Sequence, residues 1–382
     1  MAIDPHSIDE LRNGIREQIA EDRGLLDKLR DEVRPLAAKV RRIQPRSTTS
    51  FALVGTDGGN NRIQFDPFLV QLVRVVDSSN NEYCLDVVSP TMDMDRLSAR
   101  QFDGSGSPKT SLGHLMSFLG LTDITKISHM IRKPSEDRPV SPTWVQVYRE
   151  LVEWAILFHI LRTKDFATDT IFVCDGLLRS KIFAKEYFPA ILKGIENAIN
   201  EHYRRSRRRV CLTGVCKSSK VLDRYRLAMS LEGILQTDYP AFVEVDRELE
   251  RNAYVWDEYA RGGDVDVGGG EVNKFVGGKM FFVKFGSRPN DPIWPVDIFL
   301  PQVKDAAGII GYMLADAING FPVPFYPQCL QKAHENAALV DFDFDILQDE
   351  IFRGIRTALG DRGSALDIFR LKDTDPAQRR YG

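Results

Sequence analysis

The chain has 382 residues, 43% of them hydrophobic and 10% aromatic, so it can bury a large core in one elaborated domain. Its 51 Lys and Arg residues against 54 Asp and Glu residues give a net charge of -3, which excludes a global basic field for nucleic acid and leaves only a local groove. No apolar run approaches the roughly 18 residues of a membrane span, and the five cysteines contain no C-x-x-C pair, so we expect a soluble, reduced, cytoplasmic protein.

A long amphipathic helix is predicted at the N-terminus. Ser7 and Glu10 form a capping box, and apolar residues recur at intervals of mostly three and four from Ile8 to Ile43. Pro35 falls inside this pattern and predicts a kink or a break, because proline lacks the N–H that a helix interior needs. We interpret residues 1–45 as an N-terminal helical extension, which either packs on its own domain or serves dimerisation or partner docking.

A β-meander is predicted to open the main domain. Its three strands span residues 49–54, 64–76 and 82–88. Residues 89–140 are predicted to be an insertion, and the first part of it is rich in Ser, Gly, Asp and Pro, which is typical of a surface loop. Ser141 and Pro142 then predict the start of a strong helix that runs to about Thr163.

Alternating strands and helices follow. The predicted strands are 171–174, 210–215, 279–286 and 294–300, and the predicted helices are 185–208, 220–231, 303–319, one from about 327, and 344–358. A Gly-rich loop is predicted at 262–278 and a flexible tail at 361–382. A meander followed by this alternation is the order of the ribonuclease-H-like fold, so residues 46–360 are predicted to form an α/β domain with a mixed sheet flanked by helices.

Two buried strands are each followed by an Asp-Gly pair. One apolar run leads to Asp57 and Gly58, and another leads to Asp175 and Gly176. Each pair alone is also compatible with a simple turn. If the two strands lie side by side, the two carboxylates meet, and carboxylates that cannot neutralise each other favour a divalent cation. We therefore predict a metal site that contains Asp57 and Asp175.

Three further residues are candidates for this site. Glu150 and Glu153 lie one turn apart on a helix that is apolar on nearly all sides, so they are either solvated surface acids or partners of the metal. Between the two we favour Glu153. His334 is either a structural histidine or a group that ligates metal, orients the attacking water or protonates the leaving oxygen.

Most of the candidate DNA contacts are basic residues in two segments of the chain. A basic run ends the helix at 185–208, where cations also suit the helix dipole, and Lys217 and Lys220 follow a strand that should lie beside Asp175. The last two are therefore better placed to meet a phosphate near the carboxylates. The candidate DNA-binding residues are Arg204, Arg205, Arg208, Lys217, Lys220 and Tyr326.

Four motifs, in their order and spacing, resemble the NurA nuclease family. They are Val54-Gly-Thr-Asp57-Gly-Gly, Val173-Cys-Asp175-Gly-Leu-Leu, Gly214-Val-Cys-Lys217-Ser-Ser and Tyr326-Pro-x-x-Leu-x-x-Ala-His334, and the resemblance covers most of residues 49–340. Members of this family have a ribonuclease-H-like fold, use manganese and process DNA ends with a hexameric HerA-type ATPase. The chain departs from the family pattern where serine is usual, with Gly59, Leu177 and Cys216 instead.

The resemblance implies a divalent-metal-dependent deoxyribonuclease. Asp57 and Asp175 then look like the metal-binding aspartates, Glu153 or Glu150 like the helix glutamate, and His334 like the late active-site histidine. The implied mechanism is two-metal hydrolysis with Mn²⁺ or Mg²⁺, which carboxylates bind better than they bind zinc. The implied partners are DNA and a HerA-like hexameric ATPase, with the protein as a homodimer, in DNA repair by end resection or in anti-phage defence.

Two other functions are compatible with the sequence. Residues 55–60 resemble the phosphate loop of actin-type and sugar-kinase-type phosphotransferases, although the acidic loop at 262–278 is a poor second adenosine motif. The other is a non-catalytic subunit that threads DNA for a motor, in which the carboxylates are structural. Measurements of ATP turnover and of metal-dependent DNA cleavage separate these alternatives.

Overall fold

The computed structural model has a mixed β-sheet at its centre. It describes residues 5–46, 51–65, 68–133, 143–254, 259, 265–266, 271–338 and 341–360. The strands are β1 (Arg41–Arg42), β2 (Phe51–Phe65), β3 (Phe68–Asp77), β4 (Glu82–Val88), β5 (Asp169–Asp175), β6 (Val210–Val215), β7 (Ala241–Glu244), β8 (Val265–Asp266), β9 (Glu271–Val272), β10 (Gly278–Lys284) and β11 (Ile293–Phe299). The α-helices are α1 (Pro5–Val33), α2 (Met94–Ala99), α3 (Ser111–Phe118), α4 (Ile124–Ile127), α5 (Trp144–Thr163), α6 (Tyr187–Ser206), α7 (Lys220–Leu231), α8 (Arg247–Ala253), α9 (Ala306–Ala317), α10 (Gln328–Ala337) and α11 (Asp341–Leu359).

The main sheet, as far as the structure describes it, has nine strands in the order β1-β7-β10-β11-β6-β5-β2-β3-β4. β2, β3 and β4 form the antiparallel meander, β5 lies parallel to β2, and β6 lies parallel to β5. β11, β10, β7 and β1 extend the sheet on the far side with antiparallel pairs. This arrangement confirms the predicted ribonuclease-H-like α/β fold, a mixed sheet flanked by helices with a helix at its N-terminus.

Two helical layers cover the two faces of the sheet. Alternate residues of β5 point to opposite faces, as in any strand, so Phe172 packs with α5 and α6, while Ile171 and Val173 pack with α9 and α10. α5 is buried on most sides because it lies between the sheet and α3. The carboxyl end of β5 therefore emerges between α5 on one face and α10 on the other.

The path of β2 differs from the sequence prediction, which ends the first strand at residue 54. β2 continues through Asp57, which pairs with Val76 of β3, and reaches Phe65. The glycines that suggested a turn are instead close-contact positions in a strand, as described below. Residues 55–60 are thus part of a strand, and the phosphate loop proposed for a phosphotransferase is wrong.

The predicted N-terminal helix is confirmed together with its break. α1 ends at Val33, and a 3₁₀ helix at Arg34–Lys39 carries Pro35 in its first turn. Val33 and Leu36 are fully buried against α7. The end of this segment also reaches the main sheet, since β1 pairs with β7.

Other predictions need correction or cannot be compared. α2 lies within the predicted loop, with the Asp93 side chain capping its first turn, and β7 and α8 were not predicted. The helix start at residues 141–142, most of the Gly-rich loop and the tail at 361–382 lie outside the described residues. Among the described helices, none combines the length and apolarity that crossing a bilayer requires.

Candidate metal centre

Asp57 and Asp175 come together because β2 and β5 are parallel neighbours. The last pair between these strands joins Thr56 to Cys174, so the next residue of each strand is an aspartate. Neighbouring strands lie about 4.8 Å apart, which places the two carboxylates side by side. The predicted juxtaposition is therefore found in the structure, although Asp57 lies within its strand instead of following it.

His334 of α10 completes a group of three. The His334 Nδ1 lies 2.7 Å from the Asp57 Oδ2, and potential ligand atoms of Asp57, Asp175 and His334 all lie within 4.8 Å of one another. The His334 side chain is 63% exposed, whereas that of Asp57 is 13% exposed. The group is therefore anchored in the sheet and open to solvent on the histidine side.

Glycines in β2 allow α10 to approach this closely. A Cβ atom on Gly55 would lie 2.9 Å from the Leu330 backbone N, and one on Gly59 would lie 2.6 Å from the Ala337 carbonyl oxygen. Such distances do not occur between real Cβ atoms and backbone, so any other residue would push α10 and His334 away from the sheet. The glycines flanking Asp57 therefore serve the position of the histidine.

Glu153 reaches the same place from α5. A Cβ atom on Gly58 would lie 2.8 Å from the Glu153 Cδ, so the carboxylate packs against β2 next to Asp57. Burial raises the pKa of Glu153 to about 8; the positive charge of Arg149 opposes this rise, and the charges of Asp57 and Asp175 add to it. Glu153 therefore faces the group of three, and 29% of its side chain is accessible to solvent.

Glu150 lies one turn away and has a different partner. The Ser180 Oγ donates a hydrogen bond of 2.6 Å to the Glu150 Oε1. Burial raises the pKa of Glu150, and the hydrogen bond from Ser180 opposes that rise. The structure therefore places Glu153 near the aspartates and ties Glu150 to the segment that follows β5.

The electrostatics of the group favour a bound cation. Burial and the negative charge of Asp57 raise the pKa of Asp175. The hydrogen bond from Tyr326 and the positive charge of Lys217 lower it, but they offset only part of the rise. The charged form of Asp175 is therefore disfavoured, first by burial and then by Asp57, and a bound cation would relieve both effects. Carboxylate oxygens are the ligands that Mn²⁺ and Mg²⁺ prefer, so Asp57 and Asp175 fit either ion, while the His334 imidazole would suit Mn²⁺ better than Mg²⁺.

Tyr326 is the residue that orients Asp175. Its hydroxyl donates a hydrogen bond of 2.8 Å to the Asp175 Oδ1, and its ring packs edge-on against Trp294 with centroids 5.0 Å apart. Only 1% of Tyr326 is exposed, so no ring face is available to a DNA base. The interpretation of Tyr326 as a direct DNA contact is wrong, because burial reserves its hydroxyl for the aspartate.

The predicted cations separate into two places. The Lys217 Nζ lies 5.4 Å from the centre of the Tyr326 ring, so Lys217 is close to Asp175, and Lys220 begins α7 nearby in the chain. The basic run with Arg204, Arg205 and Arg208 lies at the opposite end of β5, where Arg209 pairs with Asp169. Asp169 and Asp175 are about 20 Å apart at 3.3 Å per residue, so the structure does not bring that run to the metal site.

A groove of about 550 Å³ extends from the carboxylates along α5. Asp57, Glu153 and Asp175 line it, and Arg149 and Lys181 line it as well. We call this the α5 groove. The sequence reasoning missed both cations, although Arg149 carries a readable signal, since it stands four residues before Glu153 and therefore on the same helix face.

A buried ion network anchors Arg179, one of the residues that line the α5 groove. Arg179 donates two hydrogen bonds of 2.8 Å to the carboxylate of Asp297 and a further one to Glu250. All three side chains are almost fully buried. The network holds the segment after Asp175 against β11 and α8, and the sequence reasoning missed it.

Fold and site together define a ribonuclease-H-like α/β protein with a carboxylate-histidine group that could hold a metal ion. The chain is similar to the crystal structure of the NurA nuclease from Sulfolobus solfataricus, with 12% identity over 93% of this chain and 98% of that chain and a TM-score of 0.43. A second NurA crystal structure gives 8% identity, 94% and 99% coverage and a TM-score of 0.44. A NurA structure bound to dAMP and manganese gives 8% identity, 88% and 94% coverage and a TM-score of 0.35. No protein-family model and no curated protein matches the chain.

Proposed function

We propose that the chain is a divalent-metal-dependent deoxyribonuclease. The observation that carries this proposal is the group of Asp57, Asp175 and His334 within 4.8 Å, at the end of an accessible groove. The motif resemblance to NurA nucleases supports the same reading. Mn²⁺ or Mg²⁺ held there, as one ion or as a pair, would polarise the phosphodiester and activate the attacking water.

The residues of the chain have separate roles in this reaction. Asp57, Asp175 and Glu153 would hold the cation, and Tyr326 keeps the Asp175 carboxylate in place through its hydrogen bond. The His334 Nδ1 is paired with Asp57. In the tautomer that carries its proton on Nδ1, the Nε2 can accept a proton at the phosphodiester and then pass it on. Lys217 supplies a positive charge near the same carboxylates.

The proposal is tested with the purified full chain and linear DNA. We expect cleavage with Mn²⁺ or Mg²⁺ and none with EDTA, because the carboxylates need a cation to act on a phosphodiester. DNA that is bound but uncut with every divalent cation would contradict the nuclease and favour the non-catalytic threading subunit. ATP turnover by the chain alone is expected to be absent.

We further propose that the protein is a cytoplasmic homodimer that receives DNA from a HerA-like hexameric ATPase, in end processing or in defence against foreign DNA. All five cysteines are free, in line with a reducing compartment. The net charge of -3 gives weak long-range attraction for DNA, which delivery by a motor would offset through a high local concentration. The N-terminal half of α1 supports a partner, since Leu11, Ile15 and Ile19 on it are 49–66% exposed.

Replacing Leu11, Ile15 and Ile19 together with Ser is expected to dissociate the dimer or the ATPase complex. These side chains contribute nothing to the core, so folding should be retained, whereas removal of residues 1–45 would also remove buried Val33 and Leu36. Light scattering with size exclusion measures the dimer, and co-elution measures the complex. Leu227→Ser, at an exposed leucine of α7, is the matched control. A triple variant that keeps both assemblies would show that this face of α1 is not their interface.

A further inference from the structure

Arg149 is a cation of the α5 groove to which the proposed reaction gives no part. It lies one helical turn before Glu153, and its Nε is 3.2 Å from the Glu153 Oε1. Its side chain is 36% exposed and lines the same groove as Asp57 and Asp175. A positive charge is therefore held at the edge of the candidate metal site, accessible to a ligand in the groove.

The Arg149 Nε has a charge partner but no hydrogen-bond acceptor. The atom is buried and close to the Glu153 carboxylate, yet its N–H does not point at that carboxylate, and no other described group accepts it. Buried N–H groups in proteins nearly always have an acceptor, so the Arg149 Nε has a hydrogen bond to give to a ligand at this site. Since the Nε is covered, an anionic oxygen in the groove would first meet the exposed part of the Arg149 side chain, and it would reach the Nε as the Glu153 carboxyl turns away.

We propose that Arg149 binds a non-bridging phosphate oxygen of a DNA strand lying in the α5 groove, a role that rests on the proposed nuclease function. The guanidinium fork matches phosphate geometry better than a lysine ammonium does. Lys181 adds positive charge to the same groove, and it also acts on the neighbouring Glu150. Without DNA, the Glu153 carboxyl lies against Arg149; with DNA, a phosphate oxygen takes over that contact and leaves Glu153 for the cation.

DNA binding without metal tests the contact independently of catalysis. We compare Glu153→Gln with the double variant Arg149→Gln/Glu153→Gln, because both lack the carboxylate and the double variant leaves no charge unpaired. Fluorescence anisotropy of a labelled oligodeoxynucleotide in EDTA, across a salt series, should show a plot of log Kd against log salt that is shallower by about one unit in the double variant. Lys193, which pairs with Glu196 in α6, provides the control. Lys193→Gln in the same Glu153→Gln background should leave the slope unchanged. Equal slopes with and without Arg149 would overturn the proposal.

Cleavage of modified DNA tests the position of the contact. A series of substrates carries one neutral methylphosphonate each, at successive phosphates. At one position the methylphosphonate should slow cleavage by the wild-type protein but cause no further loss of rate in Arg149→Gln. Arg149→Lys should restore part of the rate at saturating Mn²⁺. If wild-type protein does not cleave DNA, the nuclease proposal fails, while the binding comparison still decides Arg149. If wild-type protein cleaves and Arg149→Gln matches it on every substrate, the Arg149 proposal fails alone.

Discussion

Replacing Asp175 with Asn is expected to reduce metal-dependent DNA cleavage by about 10³-fold or more, because the change removes a full anionic charge from the cation site. Asn has nearly the same shape and can still accept the Tyr326 hydrogen bond, so folding should be intact. The metal-free variant is also expected to melt at a higher temperature than wild-type protein, since the repulsion between Asp57 and Asp175 is gone. Single-turnover cleavage with saturating Mn²⁺ and thermal melting in EDTA measure the two effects.

Asp169→Asn is the matched control for this experiment. Asp169 is the first residue of β5 and Asp175 is the last, so the two lie at opposite ends of the strand. Asp169 pairs with Arg209 at 3.0 Å. Its replacement should leave cleavage unchanged. Normal cleavage by Asp175→Asn in Mn²⁺ would exclude this aspartate from catalysis, and Asp57→Asn should behave as Asp175→Asn does.

The parts of the fold that the sequence predicted are those with a strong local pattern. β5 and β6 are continuous apolar runs, and α1 and α7 repeat apolar residues at helical spacing, so each element can be recognised within its own segment. β2 was cut short because Gly55, Gly58 and Gly59 suggest a turn. α10 and Glu153 require these glycines because they pack directly against β2. Both come from distant parts of the chain, so the local sequence does not show why glycine is needed.

The site was predictable to the same extent. The aspartates follow from two strands with the same ending, once the strands are assumed to be neighbours. The histidine is a candidate from its residue type, and the motif resemblance adds its place in the site; no local pattern connects it to Asp57, 277 residues away. The Arg179 network joins residues separated by 118 and 71 positions, and its members look like ordinary surface charges in sequence. Only the folded chain shows them buried together.

The second large effect is expected for the two glutamates of α5, whose replacement should change DNA cleavage very differently. Glu153 packs against Gly58 beside Asp57, and the charges of both aspartates act on it, whereas Glu150 accepts a hydrogen bond from Ser180. Glu153→Gln should therefore lose about 10²-fold or more in cleavage at saturating Mn²⁺ and require more Mn²⁺ for half-maximal rate. Glu150→Gln keeps an acceptor for Ser180 and should stay close to the wild-type rate.

Gly58→Ala provides a third variant that does not change Glu153 itself. The added methyl group would displace the Glu153 carboxylate from β2, so cleavage should fall as in Glu153→Gln, at a cost in stability of about 1–3 kcal/mol from overpacking. Mn²⁺ titrations of single-turnover rates on the three variants, with melting curves for each, make the comparison. A larger loss in Glu150→Gln than in Glu153→Gln would reverse the assignment, and near-wild-type rates in both would remove the glutamates from the site. Loss in Glu153→Gln and Gly58→Ala together would identify the carboxylate against β2 as the third acid of the metal centre.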